Sequence, residues 1–372
     1  MQHTKSIQLR GCARFCASKI QSQETNRDAR HGVLIEILAG GRGQGAIEFE
    51  QCKKQFAYFY CMEERNRGLV IKSTGSRYRV SDSRGNITEC VIKGKFRLKG
   101  IRTTNPVTVG DYVYFETTAN DSTGVITGIE ERKNYIIRKA SKLSKESQII
   151  AANIDQLLLL ASITEPETHP EFIDRVLVTA EAYSIPVIIL FNKTDIYSPQ
   201  HTEKMEYLRS VYLRIGYDTR SVSLYRDEDI DMICGLLKKR VTLLAGNSGV
   251  GKSTLINRVE PSVNIKVEPV SDYHKMGRHT TTFAEMYTLS TGGYIIDTPG
   301  IKGFGIIDMD KEEIYHFFPE IFKASHACKY YNCQHINEPG CEVIKRLSNG
   351  EIEEFRYRSY LKIYEDNNSK YR

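Results

Sequence analysis

Gly246-Asn247-Ser248-Gly249-Val250-Gly251-Lys252-Ser253-Thr254 has the residue types and spacing to cradle a chain of phosphates. Its glycines let the backbone curl so that several N–H groups face one anion. The helix beginning at Lys252 adds the partial positive charge of its N-terminus. Lys252 can reach the outer phosphates, and the Ser253 hydroxyl suits a Mg²⁺ ion held with them. The apolar run Val241-Thr242-Leu243-Leu244-Ala245 reads as a buried parallel strand leading into the loop. Strand, loop and helix together separate a nucleotide-binding motif from a chance glycine-rich turn.

A second motif, Asn192-Lys193-Thr194-Asp195, follows another buried-strand run, Ile185 to Phe191. Ligands bind at such C-terminal strand ends in parallel sheets. Asp195 can accept two hydrogen bonds from the N–H edge of guanine, which adenine does not offer. Asn192 can hold the strand end and the base, and the Lys193 stem can cover the ring. A buried carboxylate left unpaired is costly, so the site should reject ATP. Further on, Arg220-Ser221-Val222-Ser223-Leu224 reads as a strand end whose serine backbone contacts the same base. In an ordinary GTPase the base-reading motif lies downstream of the phosphate loop. Here it lies more than fifty residues upstream, so the chain visits a complete GTP site in rotated order. That order defines a circularly permuted GTPase.

Two more pieces follow the phosphate loop. Tyr294 to Gly300 is a strand ending in Asp297-Thr298-Pro299-Gly300, where Asp297 would hold Mg²⁺ through water and the Gly300 N–H would sense the γ-phosphate. Gly277-Arg278-His279-Thr280-Thr281-Thr282 is a polar switch-like segment, and Thr282 is the hydroxyl assigned to the metal shell. Ras-like enzymes carry a water-orienting Gln after the DxxG motif, but this chain has Ile301. An aliphatic side chain cannot orient water. His279 is the nearest titratable group for that task, against the plainer reading of a solvated loop histidine.

In these motifs, in this order and joined by a C-terminal cysteine cluster, the chain resembles the RsgA (YjeQ) family of ribosome small-subunit-dependent GTPases from about Met62 to its end. The resemblance implies an N-terminal OB-fold, a permuted GTPase domain and a zinc-binding helical tail. It implies GTP hydrolysis to GDP stimulated by the small ribosomal subunit, late in the maturation of that subunit, with rRNA as a partner. It implies a catalytic role for His279, and Ile301 agrees with the family's hydrophobic replacement of the Gln. The other reading is a GTP-regulated RNA-binding module with little intrinsic hydrolysis, which Ile301 would equally suit.

The cysteine cluster Cys328-x4-Cys333-x-His335-x5-Cys341 offers three thiolates and an imidazole, enough for one closed, structural, tetrahedral Zn²⁺ site. His326 is a rival ligand by proximity; the family pattern selects His335. Glu342 to Asp366 alternates charged and apolar residues as one or two amphipathic helices do. Lys345, Arg346, Arg356, Arg358 and Lys362 on them could face rRNA, although a solvated helix face is the commoner meaning of such charges.

Residues 62–140 form short alternating runs between Gly, Asn and Asp turns, the pattern of a small barrel. They carry a net charge of +6, equal to that of the whole chain. A basic barrel with Tyr78, Phe96, Tyr112, Tyr114 and Phe115 fits nucleic-acid binding, though those aromatics are as easily core. Pro170 to Tyr183 and Ser198 to Ile215 read as helices of a doubly wound sheet. The expected organisation is therefore multidomain: an OB-fold β-barrel over 62–140, an α/β P-loop GTPase over 141–310 and a zinc-binding helical domain over 311–372. Residues 1–61 are expected to be a poorly ordered extension or to follow a misassigned start codon. Met1 to Gln23 is basic and lacks acids, superficially like a transit peptide. The Gly41-to-Ala46 match to a dinucleotide pattern lacks a clear βαβ context. No apolar stretch approaches the roughly 20 residues that cross a membrane. A cytoplasmic monomer is expected, its tail moved relative to the barrel by nucleotide state.

Overall fold

The computed structural model describes residues 66–92, 106–117, 123–139, 147–265, 284–297 and 309–368. The expectations placed on residues 1–61, Phe96, the Gly277–Thr282 segment with His279 and Thr282, and Thr298 to Ile301 lie outside these.

Alternation of apolar and polar residues builds the first layer. Strands β1 (Asn66–Ser73), β2 (Tyr78–Asp82), β3 (Ile87–Ile92), β4 (Tyr112–Glu116) and β5 (Gly124–Ile129) bury one face. They pair in the order β1-β2-β3-β5-β4, and β1 also pairs with β4, which closes a five-stranded barrel of OB-like form. Val70, Tyr78, Val80, Cys90, Val113, Phe115 and Ile126 fill it. Tyr78 and Phe115 are therefore core. Tyr112 is half-buried, with the Arg67 guanidinium 4.2 Å from its ring centre.

A hairpin of β6 (Tyr135–Lys139) and β7 (Ser147–Ala152) straddles the boundary expected between residues 140 and 141. Beyond it, strands and helices alternate: β8 (Gln156–Ala161), α1 (Pro170–Ala182), β9 (Val187–Phe191), α2 (Pro199–Ile215), β10 (Asp218–Ser221), α3 (Asp227–Leu237), β11 (Val241–Gly246), α4 (Lys252–Val259), β12 (Glu285–Thr288) and β13 (Tyr294–Asp297). The strands lie in the order β10-β9-β8-β11-β13-β12, parallel except for β12. Strand β8 is buried at every position, as a parallel strand covered on both faces must be. Leu157 and Leu159 pack with α1 and α2, whereas Leu158 and Leu160 pack with α3 and α4. Strand β10 ends at Ser221, so Val222 to Leu224 leave the sheet earlier than their apolar character suggested.

The tail comprises a 3-10 turn (Lys311–Phe317), α5 (Pro319–Ser325), α6 (Glu342–Ser348) and α7 (Glu354–Asn368). It shares a core with Val178 of α1. The basic residues expected to face rRNA have acidic partners, while Lys345, Arg358 and Lys362 stay exposed. Lys345 and Arg346 pair with Glu342, Arg358 with Glu354, and Lys362 with Glu171. Arg356 corrects the sequence reading most sharply, because its side chain is 0% exposed. It donates to Asp174 Oδ1 on α1 at 2.7 Å and to Glu320 on α5 at 2.6 and 3.1 Å. Burial pushes the Asp174 carboxyl up, and the Arg356 guanidinium opposes that effect.

The barrel joins the sheet through backbone. Lys72 of β1 is the ladder partner of Glu285 of β12. Gly110 (φ +91°) lies against Ala152, whose carbonyl oxygen would stand 2.1 Å from an added Cβ. Only glycine fits such an approach with a left-handed φ. Asp111 accepts two bonds from Arg132 at 2.6 and 2.7 Å, fixing the chain that leaves the barrel.

Candidate nucleotide site and metal centre

Strand β11 delivers the phosphate loop and α4 receives it, as the motif requires. Gly246, Gly249 and Gly251 have φ of +147°, +78° and +112°. A Cβ on Gly246 would lie 2.6 Å from the Leu160 carbonyl oxygen, and one on Gly251 would lie 2.6 Å from Asn192 Nδ2. The glycines thus serve close packing as well as curvature. Asn247 is half-buried, Ser248 and Gly249 are exposed, Val250 is buried, and Lys252, Ser253 and Thr254 are half-buried. Lys252 Nζ donates to Gly246 O and Asn247 O, each at 2.8 Å. Burial pushes its ammonium pKa down, and the charge of Asp297 opposes that shift. Asp297 ends β13, in ladder register with Leu244 of β11. Lys252, Ser253 and Asp297 are therefore carried by adjoining elements.

The base-reading motif comes to the same place by a different route. Strands β8 and β9 are neighbours, and β8 lies beside β11. Asn192, buried, donates from Nδ2 to Val250 O at 2.9 Å and accepts from Leu224 N at 3.3 Å. One side chain thus connects the base motif, the phosphate loop and the loop after β10. Lys193 has a left-handed φ of +69° and donates to Glu165 O. Thr194 Oγ1 accepts from Arg226 at 2.5 Å. Asp195 is exposed, and its Oδ1 accepts from Ser223 Oγ at 2.6 Å. Ser223 is buried, and its N–H donates to Asp229 at 2.8 Å. Sequence reasoning assigned a serine backbone within Arg220 to Leu224 a contact with the base but missed the side-chain hold of Ser223 on Asp195. No residue spacing signals that bond.

In the tail, the ligand atoms of Cys328, Cys333, His335 and Cys341 all lie within 4.8 Å of one another. His335 Nδ1 stands 3.6 Å from Cys328 Sγ and 3.5 Å from Cys341 Sγ, and those sulfurs are 3.9 Å apart. Tetrahedral zinc with Zn–S bonds of ~2.3 Å sets sulfur spacings near ~3.8 Å, so the donor set fits that ion. His326 is outside the cluster. Burial pushes the His335 imidazole pKa down, which favours the neutral ligand form. The Cys333 thiol is pushed up to about 12 by burial, so ligation must displace its proton. Helix α7 clasps the loop from behind: Tyr357 Oη donates to His335 O at 2.7 Å and Tyr360 Oη to Gln334 O at 2.6 Å.

A barrel, a doubly wound sheet with its base motif ahead of its phosphate loop, and a cysteine-rich helical tail define a circularly permuted P-loop GTPase. Profiles of the RsgA N-terminal domain and the RsgA GTPase match residues 67–126 and 129–307. Proteins named small ribosomal subunit biogenesis GTPase RsgA from Bacteroides fragilis and Phocaeicola vulgatus are 53% and 54% identical over 307 residues, 82% of this chain and 99% of each relative. The crystal structure of YjeQ from Thermotoga maritima matches with a TM-score of 0.65 at 32% identity, covering 81% of this chain and 98% of that one. The crystal structure of YloQ, described as a circularly permuted GTPase, matches at 0.63 with 28% identity, covering 83% and 97%. The chain belongs to the RsgA GTPase family and is a GTP hydrolase. Among the described residues no helix is long and apolar enough to cross a membrane.

Proposed function

We propose that this protein is a cytoplasmic, monomeric GTP hydrolase that matures the small ribosomal subunit, binding its rRNA and activated by it. The names of the relatives support the partner, and the Asn192 bridge to Val250 carries the nucleotide reading. In this reading the phosphates lie along Gly246 to Thr254 and the base lies between the Lys193 stem and the Asp195 carboxylate. Thr194 closes the base motif, tied to Arg226. Ser253, Thr282 and Asp297 would hold Mg²⁺, which neutralises phosphate charge when bound. Cys328, Cys333, His335 and Cys341 would hold one structural zinc.

Phosphoryl transfer needs orientation of water and stabilisation of charge more than covalent help. Ile301 supplies neither, so His279 is assigned the orientation of water. Lys252 is poised for charge stabilisation. Its bonds to Gly246 O and Asn247 O occupy the ammonium until a better acceptor arrives, and phosphate oxygens are that acceptor.

The deciding measurement is GTP turnover alone, with small subunits and with large subunits. Stimulation by small subunits only is the expected result. Binding without turnover in any condition would favour the GTP-regulated RNA-binding module instead. His279→Ala should lower stimulated turnover by about two orders of magnitude while a non-hydrolysable analogue still binds. Full stimulated activity in that variant would make the residue a bystander. Asp195→Asn should cost several kcal/mol of guanine affinity and favour xanthine, whose edge carries an acceptor in place of the amino group.

A further inference from the structure

Five charged side chains stand in register across five neighbouring strands. From the nucleotide site outward they are Asp297 on β13, Glu285 on β12, Lys72 on β1, Arg79 on β2 and Glu89 on β3. Each is the ladder partner of the next, so the row crosses the seam between sheet and barrel. Like charges directly opposite one another are unfavourable. The row contains two such steps, acid beside acid at Asp297 and Glu285, and base beside base at Lys72 and Arg79. Opposite charges relieve both: Lys72 Nζ donates to Glu285 Oε1 and Arg79 Nε to Glu89 Oε1, each at 2.8 Å.

Lys72 and Arg79 also line a cavity of about 250 Å³ together with Thr74, Arg77 and Glu89. Three cations meet one acid there. Arg77 is exposed and has no ion-pair partner among the described residues. The ligand this chemistry recognises is a phosphate, for which the planar guanidinium fork is suited. The +6 charge of residues 62–140 favours a phosphate carried by nucleic acid over a protein carboxylate.

We infer that this cradle takes a backbone phosphate of bound RNA, and that Glu285 relays its arrival to Asp297. The relay rests on the functional reading above; the cradle rests on its own residues. A phosphate between Arg77 and Arg79 competes with Glu285 for Lys72. Glu285 then faces Asp297 without its counter-ion, and the repulsion acts on the carboxylate beside the phosphate loop. Strand β12 also carries the Lys72–Glu285 ladder step that joins the barrel to the GTPase sheet, so charge and strand position change at one place. Glu285 further follows the Gly277–Thr282 segment closely in the chain.

The test uses the full chain as wild type, as Arg77→Ala with Arg79→Ala, and as Glu285→Gln. Affinity for purified small subunits and for a short single-stranded oligoribonucleotide is measured across a salt series, with basal and subunit-stimulated GTP turnover beside it. The double variant should keep basal turnover, bind both probes about tenfold more weakly and lose about two from the slope of log affinity against log salt. Glu285→Gln should keep its affinity yet lose about tenfold in stimulation. An unchanged salt slope in the double variant overturns the cradle. Normal stimulation of Glu285→Gln overturns the relay. A wild type that binds the oligoribonucleotide through both arginines but is never stimulated by subunits would sink the functional reading and the relay, and leave the cradle standing.

Discussion

The barrel and the tail are fastened to the same GTPase domain by different means. The barrel seam is built around main chain: a β1–β12 ladder step, the Gly110 approach to Ala152, and Ala152 N donating to Val109 O at 2.9 Å, with the Lys72–Glu285 side-chain pair beside the ladder step. The tail is fastened by side chains, with Arg356 bridging Asp174 and Glu320 inside a shared core. Backbone pairing fixes register, so a shift in the sheet must pass into the barrel. A side-chain bolt fixes proximity, and one substitution can remove it. The two seams should therefore fail differently.

Breaking the bolt should have the largest effect. Arg356→Ala leaves Asp174 buried without its counter-ion and should cost about 3–5 kcal/mol, read as a lowered midpoint in urea unfolding. Arg356→Met combined with Asp174→Asn should recover much of that loss, since the penalty lies in the stranded charge. Equal losses in the two proteins would mean that packing, not charge, holds the tail. At the other seam, Gly110→Ala forces a Cβ against the Ala152 carbonyl at φ +91°. A loss of about 2–4 kcal/mol should appear, with faster amide exchange along β1 and β7 before any change in α7. Simultaneous exchange in both places would show that the seams are one cooperative unit.

Smaller tests sharpen the contrast. Tyr357→Phe removes the bond to His335 O and should cost about 1–2 kcal/mol, with faster loss of zinc to a chelator. Glu130→Gln breaks the exposed Arg67 pair on the barrel and should cost under about 1 kcal/mol. The Arg67 hydrogen bond holds the Glu130 carboxyl below the usual glutamate range. Its contribution is thus present above the ordinary glutamate pKa and is lost as pH falls through the lower folded value. The difference between wild type and variant should vanish in acid; a difference that grows there contradicts the assignment.

Much of this was legible in the sequence because it rests on local rules. The phosphate loop declares itself through glycines before Lys252 and Ser253, and the barrel strands through period-two alternation. The cluster of three thiols and one imidazole in the tail declares itself through compact spacing. Arg356 was misread because a helical arginine among Arg358 and Lys362 looks solvated. Its acids lie on α1 and α5, 182 and 36 residues away, and no local pattern announces them. The same limit hid the Ser223 hold on Asp195 and the row from Asp297 to Glu89. Each depends on which strands become neighbours, a property of topology.

The sequence distance bridged by each seam also sets an order of events at birth. All five barrel strands lie within residues 66–129, so the barrel can close while most of the chain is still untranslated. The Lys72–Glu285 contact spans 213 residues and must wait until β12 has emerged. Arg356 follows later still, and its capture of Asp174 is among the last steps of assembly. A nascent chain therefore holds a finished barrel before it has a complete nucleotide site, and a complete nucleotide site before it has a docked tail. Truncation shortly before Glu354 would release a protein arrested at that penultimate stage, with Asp174 still awaiting its cation.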